Sequence, residues 1–197
     1  MEAVRMGAVV AAAGMSSRMG RFKPLLDIQG EPAIVRVIHT LRSGGAENIF
    51  VVTGHHAEEL RAALEGHGVS FVHNPDYAAT GMFESVRLGL ERAQRTCGRI
   101  LVTPSDVPLF RAETVRTVLT SGEPIVIPTH GGRDGHPVLF EAEVVPEVLS
   151  FHGEGGLHGA ILALGARVRR VEVPDDRIFT DMDTPEDYRR LILEGSA

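Results

Sequence analysis

The sequence is poor in cysteine, and it lacks any long hydrophobic run. Its single cysteine, Cys97, excludes an internal disulfide framework and every metal site built from cysteines alone. The longest apolar run near the start, Ala8 to Ala13, is too short to span a membrane. It also lacks the basic residues before it and the polar cleavage region after it that mark a signal peptide. We therefore expect a cytoplasmic protein.

The charge balance excludes a general binder of nucleic acid or of anionic membranes. The 197 residues carry 20 basic and 26 acidic side chains, a formal net charge of −6. Lysine is almost absent, since every basic residue except Lys23 is arginine. Coding bias toward arginine explains the composition as a whole. A lone lysine is also a weak indication of a site that needs a compact ammonium rather than a planar guanidinium.

Length and hydrophobic pattern predict one α/β domain over residues 1–197, with a mostly parallel sheet covered on both faces. Continuous apolar runs are typical of strands buried on both sides. Strands are predicted at residues 7–12, 48–53, 69–73, 99–103, 124–127, 137–140, 167–173 and 178–183. Helical spacing predicts helices at residues 32–41, 57–64, 83–93 and 112–119, and a last one from Thr184. The glycine-rich stretch 153–159 is predicted to be a mobile loop.

The first predicted strand runs into a glycine-rich turn that carries three cations. Small residues from Ala11 to Gly14 let backbone N–H groups approach a ligand, and Arg18, Arg21 and Lys23 follow. Cations gathered on one such turn of an acidic protein favour phosphate binding. The turn has neither the Gly-Lys-Ser/Thr of a Walker loop nor the Gly-x-Gly-x-x-Gly of a dinucleotide site. An ordinary turn with solvated arginines is the alternative.

Carboxylates follow two other predicted strands. Asp106 lies between Pro104 and Pro108 at the end of the fourth strand. Asp181 and Asp183 lie two residues apart on an extended segment, so their side chains are expected to point the same way, which suits a hard cation. The alternative for both positions is the capping of the helix that follows.

Two more polar segments complete the candidate site, one from 73 to 85 and one from 135 to 137. Ser85 lies inside a predicted helix and has no structural need to be polar. Because the carboxyl ends of parallel strands share one edge of a sheet, we expect four of these clusters on one rim, where α/β proteins bind ligands. Cations and carboxylates on one rim predict a nucleotide and metal site. Lysine, arginine and Mg²⁺ would there stabilise a phosphoryl group under attack.

The motifs fall in one order from residue 7 to residue 188. They are Ala12-Ala13-Gly14-x-Ser16-x-Arg18-Met19-Gly20-x-x-Lys23, Val52-Thr53-Gly54, His73-Asn74-Pro75-Asp76-Tyr77, Gly81 with Ser85, Asp106 with Pro108, Gly135-His136-Pro137 and Asp183-Thr184-Pro185-Glu186-Asp187. In this order they resemble the molybdenum-cofactor cytidylyltransferases of the nucleotidyltransferase superfamily. The resemblance implies a three-layer α/β/α Rossmann-like fold. It also implies an enzyme that transfers CMP from CTP to the terminal phosphate of molybdopterin and releases pyrophosphate.

The resemblance assigns a role to each matching residue. Arg18 and Lys23 would hold the triphosphate, and Asp106 and Asp183 would hold Mg²⁺, the implied cofactor. The implied catalytic residues are Arg18, Lys23 and Asp106. With Arg18 and Lys23, the nucleotide-binding residues are Ala12, Ala13, Gly14, Ser16, Gly81 and Ser85. The pterin side is assigned to Gly135, His136, Pro137 and Asp181. Relatives often carry glycine at the position of Ser105.

Other functions remain open on the sequence alone. The implied substrates are CTP and molybdopterin, and a molybdenum hydroxylase would receive the product. A guanylyltransferase of the same fold, whose matching stretch carries glycine at the position of Ala13, is one alternative. A transferase for another phosphorylated small molecule is a second. A nucleotide-binding maturation partner of a molybdenum hydroxylase, without turnover, is a third. The presence of both Asp106 and Asp183 favours an enzyme, because a protein that only binds a nucleotide does not need a second carboxylate opposite the phosphates.

Overall fold

The computed structural model describes residues 4–16 and 19–194, and these contain ten strands and seven α-helices. The strands are β1 (Met6–Ala12), β2 (Asp27–Ile28), β3 (Glu31–Pro32), β4 (Asn48–Thr53), β5 (Ser70–His73), β6 (Arg99–Pro104), β7 (Ile125–His130), β8 (Arg133–Asp134), β9 (Val138–Glu141) and β10 (Val168–Glu172). The helices are α1 (Ala33–Ser43), α2 (Ala57–Ala63), α3 (Met82–Ala93), α4 (Ala112–Thr120), α5 (Val145–Ser150), α6 (Gly156–Ala163) and α7 (Pro185–Glu194). Short 3₁₀ turns lie at Lys23–Leu25 and Gly165–Arg167. In the described ranges, every helix is too short or too polar to cross a membrane.

Eight of the strands form one mixed, mostly parallel sheet. Its order is β10-β7-β9-β6-β1-β4-β5, with β8 paired to β7, while β2 and β3 form a separate ribbon. Strand β1 pairs in parallel with both β4 and β6, and β9 is antiparallel to β6 and β7. The carboxyl ends of β1, β4, β5 and β6 therefore meet the amino end of β9 at one edge. The predicted fold class is confirmed.

Alternate residues of the central strand face opposite layers of helices. Val10 packs in one buried cluster with Ile38 of α1, and Val9 packs in the other with Leu90 of α3. Helices α1, α2 and α4 cover the first face, and α3, α5 and α6 cover the second. This burial on both faces is the physical reason for the continuous apolar runs in the sequence.

Two local expectations are wrong. Residues 178–183 form no strand: the N–H of Thr180 closes a turn on the carbonyl of Arg177, and the carbonyl of Ile178 accepts the N–H of His136 at 2.7 Å. The stretch 153–159 is not a loop throughout, because α6 begins at Gly156. Burial of Ala160 and Ile161 against the second face outweighs the poor helix propensity of the glycines.

The last helix closes one side of the site. The N–H of Thr184 donates to Asp187 Oδ2 at 2.9 Å, and the N–H of Asp187 donates to Thr184 Oγ1 at 3.2 Å. This reciprocal cap confirms the predicted start of the helix. The hydroxyl of Tyr188 donates to the carbonyl of Asp27 at 2.6 Å, which ties α7 to the β2–β3 ribbon. Asp183, the residue before the cap, is thereby held at the edge of the sheet.

Helix α3 approaches the sheet so closely that it requires a glycine. A Cβ built on Gly89 would overlap Cγ1 of Val9 and lie 2.9 Å from Cγ2 of Val52. We expect Gly89→Ala to lower the free energy of unfolding by about 1–3 kcal/mol, because overpacking a core strains it. Gly165→Ala is the matched control, since no described atom lies within 4 Å of its added Cβ. Urea unfolding followed by circular dichroism measures both; an unchanged midpoint for Gly89→Ala would contradict the packing.

Candidate active site

A cavity of about 200 Å³ opens at the edge where the carboxyl ends of the parallel strands meet. The loop after β1, the start of α3, the turn after β6 and the segment before α7 all contribute to its walls. Every nucleotide and metal residue that the sequence predicts and the structure describes lines it: Ala12, Ala13, Gly14, Ser16, Lys23, Gly81, Ser85, Asp106 and Asp183. Arg18 lies outside the described residues. The cavity is therefore the candidate site.

The residues predicted for the pterin side lie outside this cavity. Asp181 lines a neighbouring cavity with Arg133 and Arg177, so it does not share the space that Asp183 lines. His136 is partly buried, and its Nδ1 has no hydrogen-bond partner among the described residues. Burial lowers the pKa of His136 below 6.5, although the nearby Asp106 acts in the opposite direction. The imidazole is therefore neutral at pH 7. That these residues face an acceptor stays a prediction.

Ser16 shapes the loop that follows β1. Its backbone is in the left-handed region, with φ 53°, and its carbonyl accepts hydrogen bonds from the N–H groups of Met19 and Gly20 at 3.1 and 3.2 Å. Its hydroxyl accepts the N–H of Lys23 at 3.2 Å. The loop thus turns back on itself, and this turn sets where the side chain of Lys23 starts.

The ammonium of Lys23 lies between two carboxylates from distant parts of the chain. Its Nζ is 3.0 Å from Asp106 Oδ2 and 2.6 Å from Asp183 Oδ1, and the side chain is only 11% exposed. Burial by itself would lower the pKa of Lys23, but the two carboxylates outweigh it and raise the pKa above 10.5. Lys23 is therefore charged at neutral pH. Two of its three N–H donors face carboxylates, and the third has no partner among the described residues.

The two carboxylates form a donor set that fits Mg²⁺. Oδ2 of Asp106 and Oδ1 of Asp183 both lie within 3.0 Å of one nitrogen, so they converge on a point that already holds a cation. Mg²⁺ is usually held by one or two carboxylates together with phosphate oxygens of a substrate. Within residues 4–16 and 19–194, no group of three or more His, Cys, Asp or Glu side chains is arranged to hold a metal ion.

The turn after β6 presents Asp106 without needing a glycine. The N–H of Ser105 donates to the carbonyl of Ala11 at 3.0 Å, which ties the turn to β1. Ser105 does not have a positive φ, so serine in place of the relatives' glycine leaves the backbone unstrained. Helix α4 starts beyond it, with Arg111 at the N-cap and no side-chain cap hydrogen bond. Asp106 is therefore not a helix cap, and that alternative is wrong.

Two glycines keep the cavity open. A Cβ built on Gly14 or on Gly81 would have no described atom within 4 Å, and neither glycine has a positive φ. The protein itself therefore does not require glycine at either position. Their missing side chains leave space, and exposed backbone N–H groups, for a bound molecule.

Sequence reasoning did not select every residue that lines the cavity. Tyr77, Thr80 and Met82 also line it, and they lie in the segment already noted between His73 and Ser85. Spacing could indicate this segment. It could not indicate which of its side chains face inward, because the loop before α3 has no regular period.

Comparison with known proteins shows which protein family the chain belongs to. The model of the MobA-like NTP transferase domain matches residues 8–170. The chain belongs to the MobA-like NTP transferase family. This MobA-like chain is a nucleotidyltransferase and an enzyme, as the order of its motifs predicts. The alternative of a binding partner without turnover is not retained.

Similar proteins cover nearly the whole chain. Molybdenum cofactor cytidylyltransferase of Escherichia coli (strain K12) is 28% identical over 183 residues, which are 91% of this chain and 92% of that protein. A nucleotidyl transferase from Methanothermobacter thermautotroptrophicus superposes with a TM-score of 0.85 and 26% identity over 98% of both chains. Rv0371C of Mycobacterium tuberculosis H37Rv, solved in complex with manganese, superposes with a TM-score of 0.80 and 28% identity over 96% of this chain and 98% of its own.

The pKa of Lys23 can be measured without ambiguity, because it is the only lysine. We expect ¹³Cε-labelled lysine to titrate above 10.5, and Asp183→Asn to lower that pKa, since one of the groups that raise it is lost. A raised pKa stabilises the folded protein below pH 10.5, and this stabilisation disappears as the pH rises through the folded-state pKa.

The control for this titration is Asp134→Asn, whose carboxylate pairs with Arg170. It should leave the Lys23 signal unchanged. Equal titration midpoints for the wild type and Asp183→Asn would show that the carboxylate does not hold the ammonium.

Proposed function

We propose that this MobA-like NTP transferase transfers CMP from CTP to the terminal phosphate of molybdopterin and releases pyrophosphate. The observation that carries the proposal is the Lys23 ammonium between Asp106 and Asp183, at the mouth of a glycine-lined cavity. That cluster suits a triphosphate with a divalent cation. The similarity to the Escherichia coli cytidylyltransferase supports the choice of nucleotide and acceptor.

The reaction needs one bond to form and one to break. An oxygen of the acceptor's phosphate attacks the α-phosphorus of CTP, and the bond from that phosphorus to the pyrophosphate oxygen breaks. An ionised phosphate attacks without losing a proton, so no general base is needed. Negative charge increases around the α-phosphorus and on the leaving group. The third N–H donor of Lys23 would stabilise it, together with Arg18, which the resemblance places at the phosphates.

Asp106 and Asp183 would hold Mg²⁺, which supplies positive charge for the phosphate oxygens when bound. Lys23 has a second task in this proposal, because its ammonium keeps the two carboxylates close together in the unliganded protein. The structure of Rv0371C with manganese supports a divalent cation in proteins of this fold.

The acceptor would approach from the side of β9. Gly135, His136 and Pro137 precede that strand, and Asp181 lines the cavity next to the site. We propose that these residues face molybdopterin. The neutral imidazole of His136 adds no positive charge there. A molybdenum hydroxylase is the expected receiver of the product.

The metal assignment predicts the effect of removing one carboxylate. Asp106→Asn should reduce pyrophosphate release at least a hundredfold, because a preorganised electrostatic contact is worth about that much. The thermal midpoint should fall only modestly, since Lys23 keeps Asp183 as a charged partner. Glu91→Gln is the matched control, because its exposed ion pair with Arg95 lies near the C-terminal end of α3, and only the start of that helix lines the cavity. An active Asp106→Asn, or full activity in excess chelator, would refute the metal site.

The choice of nucleotide depends on Ala13, which lines the cavity and is 5% exposed. If the base lies against this backbone, the alanine methyl occupies space that a purine needs. We expect kcat/KM for CTP to exceed that for GTP by roughly 10- to 200-fold with molybdopterin saturating, and Ala13→Gly to narrow the gap without reversing it.

The assay is pyrophosphate release from each nucleotide, with and without molybdopterin. Ala62→Gly, on an exposed face of α2, is the matched control for the loss of a methyl group. Equal use of GTP and CTP by the wild type would exclude the cytidylyltransferase and favour the guanylyltransferase. Turnover only with a different phosphorylated acceptor would exclude molybdopterin.

A further inference from the structure

The cavity has a charged end and a neutral polar end. Lys23 and Asp106 lie at the β6 side of β1. On the other side, beyond β4, Asn74 follows β5 and is 1% exposed, and Ser85 of α3 is 4% exposed. If the proposed function holds, the triphosphate occupies the charged end. The base then lies at the neutral end, where uncharged groups can read its edge.

The backbone determines which way the amide of Asn74 points. The N–H of Asp76 donates to Oδ1 of Asn74 at 3.0 Å. A backbone N–H can only donate, so the atom that it meets must be the amide oxygen. The amide nitrogen therefore faces the other way, where it donates to Ser85 Oγ at 3.0 Å and to Thr80 Oγ1 at 3.2 Å.

This orientation determines the hydrogen-bonding role of Ser85. An amide NH₂ group has no lone pair to offer, so Ser85 must accept from it, and its own proton points elsewhere. The hydroxyl of Thr80, which also accepts from Asn74, donates onward to the carbonyl of Asp76 at 2.8 Å. Among the described residues, Ser85 has no such acceptor. Its hydroxyl is thus a buried donor without an acceptor in the described part of the chain, and Ser85 lines the cavity.

We propose that Asn74 is a positioning residue that makes Ser85 a hydrogen-bond donor to the 2-carbonyl oxygen of cytosine. The proposal rests on the proposed function and adds to it the residue that sets the polarity of base recognition. Cytosine presents an acceptor at this position. Guanine presents N–H donors at its N1 and N2 positions. A guanine held by that edge would therefore place an N–H group against the hydroxyl donor of Ser85, and no hydrogen bond would form.

The test compares CTP with 2-thio-CTP, in which a weakly accepting sulfur replaces the 2-carbonyl oxygen. The readout is the ratio of the KM for 2-thio-CTP to the KM for CTP. We expect about ten in the wild type, because one hydrogen bond to a buried donor is lost, and about one in Ser85→Ala. The kcat for CTP should change less than KM in that variant.

Asn74→Asp reverses the direction of the hydrogen bond between residues 74 and 85 with little change of shape. Its carboxylate would accept the proton of the Ser85 hydroxyl instead of donating to it. The ratio should then fall toward one. Added negative charge or general damage to the site would raise both KM values together and leave the ratio at about ten. The only other asparagine, Asn48, begins β4 at the opposite edge of the sheet, so Asn48→Asp is the matched control and should keep the wild-type ratio.

The outcomes separate the two proposals. A wild type that does not use CTP would overturn the proposed function. A wild type that uses CTP with a ratio near one, or an Asn74→Asp that keeps a ratio near ten, would overturn the role of Asn74 alone. If Asn74→Asp does not fold, Asn74→Ala replaces it. That variant removes the group that fixes the orientation of the Ser85 hydroxyl but leaves the hydroxyl able to donate, so the ratio should fall only part of the way from ten toward one; a ratio that stays near ten would again overturn the role of Asn74.

Discussion

The arrangement of the site depends on one cluster of charges. The ammonium of Lys23 joins carboxylates that lie 83 and 160 residues further along the chain, so three segments that leave the sheet at one edge are held at a single point. The lysine side chain is almost fully buried, and a buried charge without a partner is strongly destabilising. The loop after β1, the turn after β6 and the segment before α7 therefore constrain one another.

The order of the strands separates two kinds of chemistry along that edge. The β6 side carries the charged groups, and the β5 side carries buried amide and hydroxyl groups with no formal charge. A nucleotide has the same division, with phosphates at one end and a neutral polar base at the other. Strand β1 lies between the charged side and the neutral side of the cavity. Ala12 and Ala13, at the end of this strand, line the cavity between the two sides.

The hydrophobic pattern of the sequence predicted the elements of the core correctly, but it failed for two segments outside the central sheet. The continuous apolar runs correspond to strands buried on both faces, and the helical spacings correspond to helices in which every third to fourth residue is buried. Residues 178–183 mix apolar and polar side chains as a partly exposed strand does, yet the segment begins in a turn, and the carbonyl of Ile178 accepts the N–H of His136 before β9. Glycines in residues 153–159 suggested a loop, but apolar side chains pack α6 against the second face. In both cases contacts with distant segments decided the outcome.

The amino-acid sequence by itself determined the fold class, the rim on which the site lies, and most residues that line the cavity, since these follow from periodicity and from motifs at the ends of strands. Only the tertiary structure showed that Lys23 faces both carboxylates, that Asp181 lines a different cavity from Asp183, and that the amide of Asn74 donates to Ser85. The physical reason is that hydrogen-bond direction and side-chain convergence depend on which distant strands become neighbours. No local pattern of residues records that choice.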